Sequence, residues 1–213
     1  MSPLSFIKNK TRQYGFFNLL VLALKRVGIL FGYYHEVYYL YSKKLDSLTP
    51  YKKSLPSGFT VEKLGISDFQ NAGRLGLSGE SLERYKDRFL SGNYLVYGIF
   101  LAHTLVYYFW LSFCEMELPF PLSEYNNLSL KPDQGYLVDG FCLPEYRGQG
   151  LHAFMGVFLM NNLHELGKKE ALTIIKSENR AAISSQEKIG FERTGSIIFS
   201  GFGKWKKLTV RYD

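Results

Sequence analysis

The 213-residue chain has little of what builds metal centres, disulfide scaffolds or membrane spans. Its two cysteines, Cys114 and Cys142, form no spacing typical of a disulfide framework or a zinc knuckle, so a reducing compartment is the default. Four histidines are present. His35 and His164 have no Cys, Asp or Glu nearby at ligand spacing, so no metal is expected. The longest apolar stretch, FFNLLVLAL from Phe16 to Leu24, stops at Lys25-Arg26. A spanning helix needs roughly 20 residues, so this one is not a transmembrane anchor. Lys8, Lys10 and Arg12 imitate a signal peptide's basic region, yet no small-residue cleavage site follows, and the segment is expected to be retained. Internal repeats and low-complexity tracts are missing too. So are a Gly-Lys-Ser/Thr phosphate loop and a three-glycine dinucleotide fingerprint.

The bulk composition is that of a globular protein, with 46% hydrophobic and 21% charged residues. The net charge of +7 favours anions: nucleic acid, an acidic membrane or a phosphorylated cofactor. A Pro/Ser/Lys-rich step at 48–58 reads as a boundary between an extension, 1–56, and a main domain, 57–213. A second such step, 117–135, holds Pro119, Pro121 and Pro132 and reads as a long loop.

From residue 57 the pattern predicts β-α-α-β-β-β-α-β-α-β-β. FTVEKL alternates as a strand, and Ser67 is placed to cap a short helix. SLERYKDRFL follows as a second helix. YLVYGIFLA and LVYYFWLSF flank His103-Thr104 as a hairpin, in which Tyr107–Trp110 reads as core. GYLVDGFCL is the next strand. Leu151, Phe154, Met155, Phe158, Leu159, Leu163 and Leu166 recur at helical steps and stop at Gly167. ALTIIK, a helix at NRAAISSQEKIG and a closing hairpin complete the order. Ahead of them, Phe16 to Tyr34 reads as a helix apolar on most faces and YYHEVYYLY as a strand. That helix is expected to pack on the domain or on a second subunit, with contact to a membrane surface as the alternative.

The stretch PEYRGQGLHAFM carries the chemistry. A strand running through EYRGQG into a helix leaves several main-chain N–H groups without intrahelical partners, at the positive end of the helix dipole. Gly148 and Gly150 remove side chains that would block close approach, and Arg147 adds a cation. The result is a cradle for a diphosphate. A tight turn alone would also use these glycines.

VDGFCLPEYRGQGLHAFM, TIIKSENRAA and EKIGFERTG together resemble the GNAT superfamily of acyl-CoA-dependent N-acyltransferases. The family pattern Gln/Arg-x-x-Gly-x-Gly/Ala threads in two registers. From Glu145 it takes both glycines with an atypical first residue; from Arg147 it takes Gly150 and puts His152 at the last small position. The resemblance spans about three quarters of the chain. It implies an α/β fold with a mixed central sheet, flanking helices and a splayed strand pair, preceded by the helix-strand extension.

The resemblance further implies acetyl-CoA as acyl donor. Main-chain groups of Phe141, Cys142 and Leu143 would meet the pantetheine arm. Arg147, Gly148, Gln149, Gly150, Leu151 and His152 would hold the pyrophosphate, and Asn179 would approach the arm or simply cap its helix. The acceptor would be a small-molecule primary amine, with an amino sugar of surface-polysaccharide synthesis as first choice and no role for nucleic acid. Asp139 leads as general base, with Glu115 and Glu117 next. Where the family often has a tyrosine acid this chain has Gln186, so Ser184, Ser185 or water would return the proton. A cytoplasmic enzyme is expected, with membrane association on the inner face and a homodimer left open. The alternatives are a non-catalytic acyl-CoA-binding module and a basic binder of membrane surfaces or nucleic acid.

Overall fold

A computed structural model describes residues 24–25, 27–51, 54–119, 122 and 127–213. The expected N-terminal helix, with the packing or membrane contact expected of it, falls mostly outside these residues; 24–25 and 27–30 are helical. In chain order the strands are β1 (Tyr33–Lys44), β2 (Phe59–Lys63), β3 (Tyr94–Leu101), β4 (Thr104–Ser112), β5 (Glu115–Met116), β6 (Leu128–Ser129), β7 (Gln134–Cys142), β8 (Glu170–Lys176), β9 (Glu192–Phe202) and β10 (Trp205–Tyr212). The helices are α1 (Ile66–Asn71), α2 (Gly79–Ser91), α3 (Leu151–Glu165) and α4 (Arg180–Lys188). The fold is mixed α/β, and its described strand pairs run antiparallel.

The described residues fall into two compact units. The first draws on the described residues among Met1–Lys43, Leu118–Asn126 and Leu172–Asp213. Its strands lie in the order β10-β9-β1-β8, and β1 pairs antiparallel with β9 from Tyr33↔Phe202 to Ser42↔Glu192. The strand half of the N-terminal extension is therefore an inner strand of this unit. α4 is fastened to β1 by Tyr41, whose hydroxyl donates to Glu187 at 3.1 Å, and by Lys43, whose Nζ donates to the Ile189 carbonyl at 2.9 Å.

The second unit, Lys44–Glu117 with Asn127–Ala171, holds β2-β3-β4-β7 and helices α1, α2 and α3. β4 is buried along almost its whole length, which explains the unbroken apolar run in its sequence: both faces are covered. Its alternation is real all the same. Tyr108 and Trp110 meet Phe69 of α1 and Tyr85 of α2, with the Phe69 and Trp110 rings stacked 5.7 Å apart. Tyr107 and Phe109 point the other way, toward α3. α3 approaches β7 so closely that a Cβ on Gly135 would run into the buried Leu163 side chain and force it to shift.

Two local expectations change. α1 is capped by Gly65, whose N–H donates to Asp68 Oδ2 at 2.7 Å, and Ser67 lies inside the helix. An ionised acceptor makes the stronger bond, so the carboxylate takes the place expected for the hydroxyl. The 117–135 loop is not wholly irregular, since β6 within it pairs with β5 through Glu115↔Ser129 and Met116↔Leu128.

Candidate active site

β7 ends at Cys142 and passes through a single 3₁₀ turn, Pro144–Tyr146, before α3 begins at Leu151. Proline at the first position of that turn fits because its missing N–H would have no partner there. Gly148 and Gly150 both sit at φ 84°, the left-handed region open chiefly to glycine. A Cβ on Gly150 would meet nothing within 4 Å, so the space before α3 is open. Arg147 through Gly150 are exposed. The first N–H of this stretch is occupied, since Arg147 N donates to the Pro144 carbonyl at 3.3 Å. Those of Gly148, Gln149, Gly150 and Leu151 have no acceptor among the described residues. The Arg147 guanidinium is steadied over the turn by its Nε, which donates to the Cys142 carbonyl at 3.1 Å. Leu143 is committed inside the unit: its N–H donates to Val106 and its carbonyl accepts from Tyr146. Two residues earlier, the ring of Phe141 stacks on Tyr108.

One strand position earlier, β7 carries a bulge. Its register on β4 jumps from Phe141 opposite Tyr108 to Val138 opposite Trp110, leaving Asp139 and Gly140 against one residue. Asp139 takes φ 59°, a conformation Asp tolerates better than most side chains. From there its carboxylate meets α2. Arg84 and Arg88, one helical turn apart, each bring a guanidinium nitrogen to 3.1 Å from Asp139 Oδ2. Arg88 is 3% exposed and also forks onto Glu117, with Nε 2.9 Å from Oε1 and Nη2 on Oε2. The rings of Trp110, Tyr85 and Tyr94 face this guanidinium at 4.9, 5.3 and 5.5 Å. Burial works against the charge on Arg88, but Glu117 and Asp139 overcome it and hold its pKa above the ordinary value. Burial alone would raise Glu117; the Arg88 fork brings it below the usual carboxylate range. The Tyr94 hydroxyl donates to Glu115 at 3.0 Å. Beside this network the Tyr85 and Tyr108 hydroxyls bond at 2.8 Å, and burial pushes both phenols up, so the pair is neutral.

His152, in the first turn of α3, stacks on Phe109 at 5.2 Å, and its Nδ1 lies 2.6 Å from the Tyr107 hydroxyl. Withdrawal from water pushes the imidazole down to about 4, so it is neutral at pH 7. The thiol of Cys142, opposite Tyr107 in the β4–β7 pairing, is pushed up to about 11, by burial first, and is protonated at pH 7.

The second unit thus brings Asp139, Glu115 and Glu117 into one chain of contacts and adds Arg84, Arg88, Tyr94, Tyr85 and Tyr108, which sequence reasoning missed. The i, i+4 arginine spacing was visible but reads as a solvated helix face. In the first unit Asn179 caps α4, its side chain accepting from Ala182 N at 3.3 Å. Ser185 is half-buried on the same helix, and Gln186 is buried at 2% exposed. Among the described residues no three His, Cys, Asp or Glu side chains are grouped to hold a metal, and no helix is long and apolar enough to cross a membrane.

No family model and no curated protein matches this sequence. Solved structures do match. A GCN5-related N-acetyltransferase from Sphaerobacter thermophilus is similar over 88% of this chain and 56% of its own, at 15% identity and a TM-score of 0.55. The tandem GNAT protein from the clavulanic acid biosynthesis pathway is similar over 79% of this chain and 54% of its own, at 15% identity and a TM-score of 0.55. A GCN5-related N-acetyltransferase from Kribbella flavida is similar over 84% of this chain and 63% of its own, at 16% identity and a TM-score of 0.53. The chain spans little more than half the length of the first two. Helix-flanked antiparallel strands lead into a glycine turn and an open helix start, and the likeness to these structures shows which α/β fold this is. It is the GNAT fold.

Proposed function

We propose that the chain is an acyl-CoA-dependent N-acetyltransferase that passes an acetyl group to a primary amine, an amino sugar being the first choice of acceptor. One observation carries this reading: the exposed Arg147–Gly150 turn, with two left-handed glycines, open space before Gly150 and amides from Gly148 to Leu151 that have no acceptor among the described residues. These groups suit a diphosphate, and the N-terminus of α3 adds its dipole. The amides of Gly148, Gln149, Gly150 and Leu151 would hold the pyrophosphate of acetyl-CoA, with Arg147 as counter-charge and His152 supporting the turn from behind. Main-chain groups of Phe141 and Cys142 would meet the pantetheine arm, and Asn179 remains the candidate from the first unit. When bound, the group supplies an activated acetyl thioester.

Asp139 is the candidate base. Its bulge turns a 31% exposed carboxylate out of the strand, where an amine's proton can reach it. Glu115, held by Tyr94, is the second candidate, and Ser185 is the candidate donor to the departing thiolate. Glu117 is set apart as Arg88's anchor. Residues 1–56 are proposed as an extension to the acyltransferase domain, and the protein as cytoplasmic.

The buried Gln186 gives a second reading some support: a module that binds acyl-CoA without turning it over. A thiol-release assay across amino sugars, amino acids and polyamines separates the two. Release with at least one amine supports the enzyme. Tight acetyl-CoA binding with no release on the whole panel supports the module.

A further inference from the structure

We infer that the acceptor carries an anionic group, a carboxylate or a phosphate, beside its amine, and that Arg84 recognises it. This rests on the acyl-transfer reading above and names its substrate class. The two arginines of α2 differ in what they have left to offer. Arg88 is fully employed: it is buried under Trp110, Tyr85 and Tyr94 and bonds both Glu117 and Asp139. Removing it would strand Glu117 and leave Asp139 to Arg84 alone, so it belongs to the scaffold.

Arg84 balances the second carboxylate from the solvent side, a place that a ligand's ammonium can take. Its side chain is 51% exposed, and it meets an Asp139 carboxylate that already has a cation behind it. A surface pair of this kind holds its partner weakly, so the guanidinium can turn to a ligand at small cost. Its five donors form a fork suited to carboxylate or phosphate, and the bond to Asp139 uses Nη2.

Charge supplies the second half of the argument. An amine reaches the site mostly as an ammonium and must come close to Asp139. A purely cationic acceptor meets Arg84 at the same carboxylate and is repelled. An acceptor with an anion near its amine meets the opposite: its anion draws Arg84 outward, and the freed face of Asp139 receives the ammonium. The pair Arg84 and Asp139 is thus a complement for a zwitterion, held closed on itself in its absence.

The test uses the full chain, acetyl-CoA and matched acceptors: glucosamine 1-phosphate against glucosamine, and serine against serinamide. Wild type is expected to favour the anionic member of a pair in kcat/KM by at least ten-fold and to use polyamines poorly. Arg84→Ala should bring that ratio toward one, chiefly through KM for the anionic member, and Arg84→Lys should restore part of it. A wild-type preference for neutral members, or a ratio that Arg84→Ala leaves unchanged, overturns the inference while leaving acyl transfer intact. Calorimetric titration of glucosamine 1-phosphate and of serine reads the contact without turnover, so it decides even if no thiol is released. Weaker binding by Arg84→Ala than by wild type for one of the two supports the anion site; no difference for either, or no binding, refutes it.

Discussion

Asp139 stands in a left-handed bulge, and that backbone decides which substitutions inform. Asparagine tolerates φ 59° and keeps the shape of the side chain, so Asp139→Asn should fold as wild type and lower turnover more at neutral than at high pH, where free amine is abundant. An unaltered pH profile would demote Asp139 as base. Arg88 makes the opposite kind of prediction. Replacing it with Met leaves Glu117 and Asp139 without their buried cation and should cost about 3–5 kcal/mol, read by chemical denaturation. Adding Glu117→Gln should recover part of that loss. His152 gives a pH signature. Its folded value of about 4 lies below the ordinary histidine value, so between about pH 6.5 and 4 the unfolded chain takes up the proton first. Its contribution is therefore fully present above that window and is lost as pH falls through it. His152→Gln, which can still bond Tyr107, should flatten stability across the window by on the order of 1–3 kcal/mol, whereas an unchanged slope would place the titration elsewhere.

The elements were more legible than the contacts between them. The step from strand through a glycine turn into α3 could be read from Gly148, Gly150 and the helical spacing of Leu151, Met155, Leu159 and Leu163, because each rests on local chemistry. The β7 bulge could not. It is set by a mismatch in pairing with β4, and VDGFC carries no mark of which residue is left over. The Arg84 and Arg88 cluster was hidden for the same reason: Asp139 lies 55 and 51 residues from them in sequence, and Glu117 lies 29 from Arg88. The cap of α1 went to Asp68 because two acceptors compete there and sequence spacing does not rank them. Gly150→Ala tests the element itself. A Cβ there meets nothing within 4 Å, so only the left-handed conformation is penalised, by about 1–2 kcal/mol. Thermal unfolding that showed no loss would mean the turn does not hold Gly150 in that conformation.

For the whole molecule, composition narrowed the partner to something anionic without choosing one, and the order of elements from residue 57 carried the fold further than any single motif. The two units also show why the acceptor was not legible. The residues that would choose it sit on α2, β5 and β7, gathered only by folding, whereas the proposed diphosphate cradle is one continuous stretch of chain. The central claim is that the main chain between Arg147 and Leu151 binds the diphosphate of an acyl-CoA. Calorimetric titration of acetyl-CoA into wild type and Gly150→Trp tests it most directly, with circular dichroism to verify that the variant is folded. Saturable binding by wild type and none by a folded Gly150→Trp is the predicted result. No heat with wild type, or equal affinity in both, would contradict it.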